Sequence, residues 1–114
     1  MEFRKYMHLE RFGNDEVQGI EVGTCYIFSK LDGSNASIWF YNNELQAGSR
    51  NRQLSLEKDN AGFYQNIKEQ ERYIKLVKEN PTYYFYGEFL CPHSLKTYRE
   101  DAMFKWDMVV GYNI

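Results

Sequence analysis

The sequence predicts an α+β fold in which antiparallel strands carry one long amphipathic helix on one face. Two observations lead there. Apolar residues alternate with period two on both sides of residues 60–80, and within that stretch alone the spacing lengthens to that of a helix. Turn-forming residues (Asp-Gly, Asn-Asn and Asn-Pro) fall between the periodic segments. The expected strands lie near 24–30, 35–41, 45–51, 83–90 and 105–112, and the helix near 61–79.

Taken in order, residues 1–12 mix charges with Phe3, Tyr6, Met7, Leu9 and Phe12 before a loop at Gly13–Glu16. His8, beside Leu9, reads as structural. Val17 to Val22 is expected to be a short extended piece. Tyr26 and Phe28 are in phase with Lys30, so a strand leads into that lysine, and Asp32-Gly33 turns the chain sharply because Asp-Gly tolerates positive φ. In the next strand Ala36, Ile38 and Phe40 oppose Ser37, Trp39 and Tyr41, and Asn42-Asn43 reads as a hairpin turn. Phe63, Ile67, Tyr73, Ile74 and Val77 recur at helical spacing, with Asp59 or Asn60 as the cap and Asn80-Pro81 as the stop. Glu69, Glu71, Lys75 and Lys78 form its solvated face. Tyr84, Tyr86 and Glu88 share one phase of the following strand, and Tyr83, Phe85, Gly87 and Phe89 the other. Residues 91–98 form a loop, and Met103 to Tyr112 a last apolar strand.

At 114 residues the chain is one domain with a modest core. Ten Tyr, eight Phe and two Trp suit cross-strand pairing and base stacking alike. A net charge of −2 excludes a general polyanion binder, so phosphate contacts must come from local pairs such as Arg50 and Arg52. Cys25 and Cys91 have no metal-ligand spacing and read as reduced core residues, so no metal ligands are assigned. No apolar signal segment or membrane span is present, which gives a cytoplasmic expectation with no membrane partner.

The chemistry centres on Lys30-Leu31-Asp32-Gly33-Ser34-Asn35. A partly desolvated lysine loses its proton near neutral pH and becomes a nucleophile, whereas a surface lysine stays charged. Asp32 opposes that deprotonation unless a metal or phosphate engages it. Alone, Lys-x-Asp-Gly is more often a solvated hairpin turn than a nucleophile's setting. Arg50, near a strand end, is either a phosphate fork or a solvated edge residue. Glu88 shares its phase with two tyrosines, and a carboxylate there is costly in a closed core, so it points to an open cleft.

The segment Ser29–Trp39 resembles the nucleotidyl-lysine motif of the superfamily of polynucleotide ligases and messenger-RNA capping enzymes. Gly48-Ser49-Arg50-Asn51 is similar to its second motif and Phe85-Tyr86-Gly87-Glu88-Phe89 to its third, in the family's order. Asp-Gly-Ser-Asn-Ala-Ser and Met7-His8-Leu9-Glu10-Arg11 look most like the ATP-dependent RNA ligases of phages and bacteria. The resemblance implies a partial, ATP-grasp-like ligase adenylation (nucleotidyltransferase) domain over residues 1–114. It also implies ATP and Mg²⁺ as cofactors and nucleic acid, RNA rather than DNA, as partner. Lys30 would be the catalytic nucleophile. Asp32, Gly33, Asn35, Arg50, Glu88 and Trp106 would bind the nucleotide, and Arg50 and Arg52 the nucleic acid. Glu88 would accept from the ribose hydroxyls, with Gly87 leaving room for the ligand.

Ser29 stands where the family often has glutamate. The last strand fits the fourth family block in two registers, one matching Trp106-Asp107 to Phe-Asp and one laying Asp107–Val110 on Tyr-Val-Phe-Asp. The family's Glu-Gly and Lys-x-Lys motifs normally follow, so the sequence is expected to be truncated. By itself it should bind adenine nucleotide weakly, form little lysine-AMP, and self-associate through exposed sheet surface. The alternatives are a DNA ligase or capping guanylyltransferase fragment, a non-catalytic nucleotide- or RNA-binding module, and an inert scaffold.

Overall fold

The computed structural model describes residues 2–6, 14–27, 31–91 and 106–113, the last stretch by its backbone. Four strands form one antiparallel sheet in the order β2-β1-β3-β4: β1 (Ser34–Tyr41), β2 (Glu44–Gly48), β3 (Tyr83–Phe89) and β4 (Trp106–Asn113). β1 and β2 are joined by Asn42 and Asn43 at φ 51° and 64°, the left-handed pair that a two-residue hairpin needs and that Asn accepts. A bulge sets Gly87 opposite Met108 next to the Tyr86–Val110 pair.

The alternation in β1 and β3 separates two apolar layers. Ala36, Ile38, Phe85 and Phe89 pack with Leu45, Ala47 and Leu54 against the helices, while Trp39, Tyr84 and Tyr86 form a second cluster on the opposite face. Both faces of the central strands are therefore covered, which is why Ala36 to Trp39 are buried without interruption.

The single long helix is not what forms. Two helices do, α1 (Phe63–Ile67) and α2 (Glu71–Glu79), separated by Gln70 in an extended conformation at ψ 113°. Phe63 and Ile67 are one turn apart, as are Tyr73 and Val77, but Ile67 and Tyr73 are six residues apart. In a continuous helix that separation would rotate the second pair by about 240° from the first. The break at Gln70 resets the phase, and all four side chains are buried against the sheet. The Gln70 amide donates to the Asn66 carbonyl at 2.8 Å, satisfying an acceptor that the break leaves over.

Of the two candidate caps, Asp59 takes the role: its carboxylate accepts from the Tyr64 and Gln65 amides at 2.9 and 3.0 Å. Asn60 instead donates to Ser34 Oγ at 2.6 Å, tying the helix entry to the start of β1. Between them and α1, Ala61 and Gly62 both have positive φ, 52° and 75°. The left-handed region is costly for alanine but not for glycine. Ala61→Gly is therefore expected to raise stability by about 0.5–1 kcal/mol, and Gly62→Ala to lower it by about 1 kcal/mol. Shifts of the urea midpoint at unchanged slope would show both.

Several other expectations give way. Residues 24–27, expected to begin a strand, form none, and Tyr26 and Ile27 are 79 % and 89 % exposed. The reason is lateral: β1 already has β2 on one side and β3 on the other, which leaves no ladder position beside it. Val17–Val22 is not extended either; Asp15–Val17 is a 3₁₀ turn, followed by further turns. The strand expected over 45–51 stops at Gly48. Gly48 pairs back to Gln53, and the Ser49 amide donates to the Arg52 carbonyl at 2.9 Å, so Arg50 sits in a tight turn. Cys91 is buried, as expected of a core thiol, but Cys25 is exposed.

Candidate functional site

The antiparallel order brings the start of β1, the end of β2, the end of β3 and the start of β4 to one end of the sheet. Gly33, Asn35, the Arg50 turn, Glu88 and the Trp106 backbone all belong to that end. Asn35 lies directly opposite Glu88 on β3, and Glu88 opposite Asp107 on β4, so one cross-strand row spans three strands. Trp106 pairs with Phe89 across the β3–β4 ladder. The side chain of Trp106 lies outside the described residues, as do Lys30 and His8 in full.

Asn35 and Glu88 are in phase with Trp39, Tyr84 and Tyr86, on the face away from the helices. Glu88 is half-buried at the margin of that face, and its neighbour Asn35 presents a buried Oδ1 against which no donor lies among the described residues. A buried acceptor without a donor costs about 1–3 kcal/mol, so it marks a place that a ligand donor would relieve. Gly87 falls in the other phase, with Phe85 and Phe89, and is not beside Glu88 on this face.

Gly33 earns its place differently from the turn chemistry that its sequence suggests. Its φ is not in the left-handed region; a Cβ there would instead lie 2.3 Å from the Phe89 carbonyl oxygen and 3.0 Å from its carbon. Glycine is needed because the Asp32-Gly33 backbone is pressed against the end of β3. Asn60, holding Ser34 Oγ, secures the same junction from the helix side.

Cys91 follows directly. Burial pushes its thiol above the ordinary range, and the Glu88 and Asp32 carboxylates add to the effect. The folded chain thus holds the thiol proton more tightly than the unfolded chain does. The stabilisation from this group is full below the ordinary thiol pKa and is lost as pH rises through the raised value. Exposed Cys25 is expected to alkylate with iodoacetamide in the folded chain, and buried Cys91 only as the chain unfolds. Peptide mass mapping over time would distinguish them, and equal rates would contradict this placement.

The two arginines differ. The Arg52 guanidinium donates to the Lys58 carbonyl and, at 2.8 Å, to the Asp59 carbonyl, so it braces the loop that caps α1. Arg50 is exposed in its turn. Among the described residues no cluster of His, Cys, Asp or Glu is arranged to hold a metal ion. A separate groove runs along α2, lined by Glu71, Arg72, Ile74, Lys75, Lys78 and Glu79. Sequence reasoning reads Asn60 as a candidate cap and Cys91 as a core thiol and gives Ser34 no role of its own; nothing in their spacing marks the Asn60–Ser34 bond or the carboxylates that act on Cys91.

Comparison with protein-family models puts this domain in the class of ligases. The model described as RNA ligase matches residues 23–112, most of the chain, and the chain belongs to that family. No curated protein and no solved structure gives a significant match. No helix among the described residues is long and apolar enough to cross a membrane.

Proposed function

We propose that this chain is the front part of the adenylation domain of an ATP-dependent RNA ligase of phage or bacterial type, and that the Asn35–Glu88 row receives the ribose of ATP. The observation that carries this reading is the pairing of two acceptors side by side across the β1–β3 ladder: the Glu88 carboxylate and the Asn35 Oδ1, which meets no donor among the described residues. A vicinal diol supplies two adjacent donors, which is the complement that such a pair requires. Membership of the RNA ligase family and the close approach of Gly33 to β3 at the same end support it.

In this reading the Lys30 amine, once deprotonated, attacks the α-phosphorus of ATP. A P–N bond forms, the P–O bond to the β-phosphate breaks, and pyrophosphate leaves with its electron pair. The phosphoramidate then passes AMP to a 5′-phosphate end, and a 3′-hydroxyl displaces AMP to seal the strand. Charge develops on the non-bridging α-phosphate oxygens, where ATP-bound Mg²⁺ and cationic side chains lower the barrier. Of this chain's residues, Asn35 and Glu88 orient the ribose, Asp32 lies at the same end, and Arg50 is an exposed cation available to phosphate. Trp106 is assigned to the base.

The test is covalent transfer. A polypeptide carrying these residues together with the family's Glu-Gly and Lys-x-Lys motifs is incubated with α-labelled ATP or GTP and Mg²⁺, then resolved by denaturing electrophoresis. Label from ATP that is lost in Lys30→Ala is the expected result. Label from GTP alone would indicate a guanylyltransferase, and label surviving Lys30→Ala would overturn the assignment of the nucleophile.

A further inference from the structure

Residues 2–6 do not simply trail from the sheet. They lie along the aromatic face, with the Tyr84 hydroxyl donating to the Glu2 carbonyl and the Tyr86 hydroxyl donating to the Arg4 carbonyl at 3.0 Å. The Phe3 ring sits 6.0 Å from that of Trp39, over Gly48, where a Cβ would come within 2.7 Å of it. The Tyr6 ring meets Tyr86 edge-on at 5.2 Å, and the Arg4 guanidinium lies over Tyr84 at 5.9 Å.

These contacts have a direction. Cross-strand rows on this face run from Gln46–Trp39–Tyr84 through Gly48–Ser37–Tyr86 to Asn35–Glu88. The segment is clipped at Tyr84 by Glu2 and at Tyr86 by Arg4, so it advances along β3 toward the Asn35–Glu88 row and covers the row immediately before it. Ser37 and Tyr86 are only 1 % and 3 % exposed beneath it. Burial of that middle row keeps water from one side of the polar row, and hydrogen bonds to a ligand gain strength when water is excluded.

We propose that residues 2–6 are a strap that forms one wall of the nucleotide cleft, and that Tyr86 is a positioning residue that latches it. Tyr86 touches no substrate. It acts by holding the strap in place, and the strap in turn shields and orients the Asn35–Glu88 pair. The proposal rests on the reading that this pair receives the ribose. It adds a role for a hydroxyl that a phenylalanine at position 86 would lack, and for a segment that carries none of the three motifs.

The experiment is a double-mutant cycle in the full chain, combining Tyr86→Phe with deletion of residues 2–5, read by titration with ATP and with 2′,3′-dideoxy-ATP and by tryptic cleavage after Arg4 and Lys5. Tyr86→Phe removes the hydroxyl that reaches the Arg4 carbonyl at 3.0 Å and, more weakly, the Lys5 carbonyl at 3.5 Å, and keeps the ring contacts. It is expected to speed cleavage about three- to tenfold and to weaken ATP binding by a similar factor, as loss of one net hydrogen bond does, while dideoxy-ATP binding changes by less than about twofold. The deletion should weaken ATP binding at least as much, and adding Tyr86→Phe to it should change nothing further. The strap is overturned as part of the site if cleavage speeds up while ATP affinity holds, if both nucleotides weaken equally, or if Tyr86→Phe still weakens binding once the strap is gone. Failure of the unaltered chain to bind ATP, or equal binding of ATP and dideoxy-ATP by it, would overturn the ribose reading and the strap's role with it.

Discussion

Gly33→Ala is expected to lower stability by about 3 kcal/mol and to abolish nucleotide binding in whatever fraction still folds. The added methyl would fall 2.3 Å from the Phe89 carbonyl oxygen, and the obstacle is strand backbone, which has no rotamer by which to move aside. Relief requires β1 and β3 to part at the end that pairs Asn35 with Glu88, so the fold and the site are damaged by the same displacement. Urea unfolding would measure the first effect and ATP titration the second. A Gly33→Ala chain of unchanged midpoint would show that the two backbones are not pressed together there.

Glu88→Ala and Asn35→Ala should separate binding from stability. Removing the carboxylate deletes a charge-assisted acceptor and is expected to weaken ATP binding about 10- to 100-fold. Asn35→Ala removes an acceptor that is buried without a donor among the described residues, so the empty protein should be no less stable, or more stable by up to about 1 kcal/mol, while ATP binding falls about three- to tenfold. Opposite signs for stability and affinity at one residue are what a ligand-facing polar group predicts. A loss of stability in Asn35→Ala without loss of affinity would instead make it a structural side chain.

The strands at the heart of the sheet were legible because their pattern is local. Ala36, Ile38 and Phe40 against Ser37 and Trp39 separate the two faces before any partner is known, and Tyr84, Tyr86 and Glu88 fall on one face for the same reason. Asn42-Asn43 marks its own turn. What depended on neighbours was not legible. The alternation at 24–28 looks like that of a strand, but no ladder position is open beside β1, and the six-residue gap between Ile67 and Tyr73 breaks a helix whose composition is continuous. Gly33 was found for the wrong reason, since its close contact is with Phe89, fifty-six positions along the chain, and no local rule reports that. That Arg52 donates to two backbone carbonyls has no signature in sequence either.

The central claim is that ATP binds at the Asn35–Glu88 end of the sheet. The most direct measurement is an amide and side-chain NMR map of the ¹⁵N-labelled chain titrated with ATP and with 2′,3′-dideoxy-ATP. The account predicts that ATP shifts the Asn35 side-chain amide and the backbone amides of Gly33, Asn35, Glu88 and Phe89, and that the dideoxy nucleotide moves the Asn35 and Glu88 signals far less. Shifts confined to Glu71–Glu79, along the groove on α2, or an Asn35 side chain that ATP leaves unmoved, would contradict it.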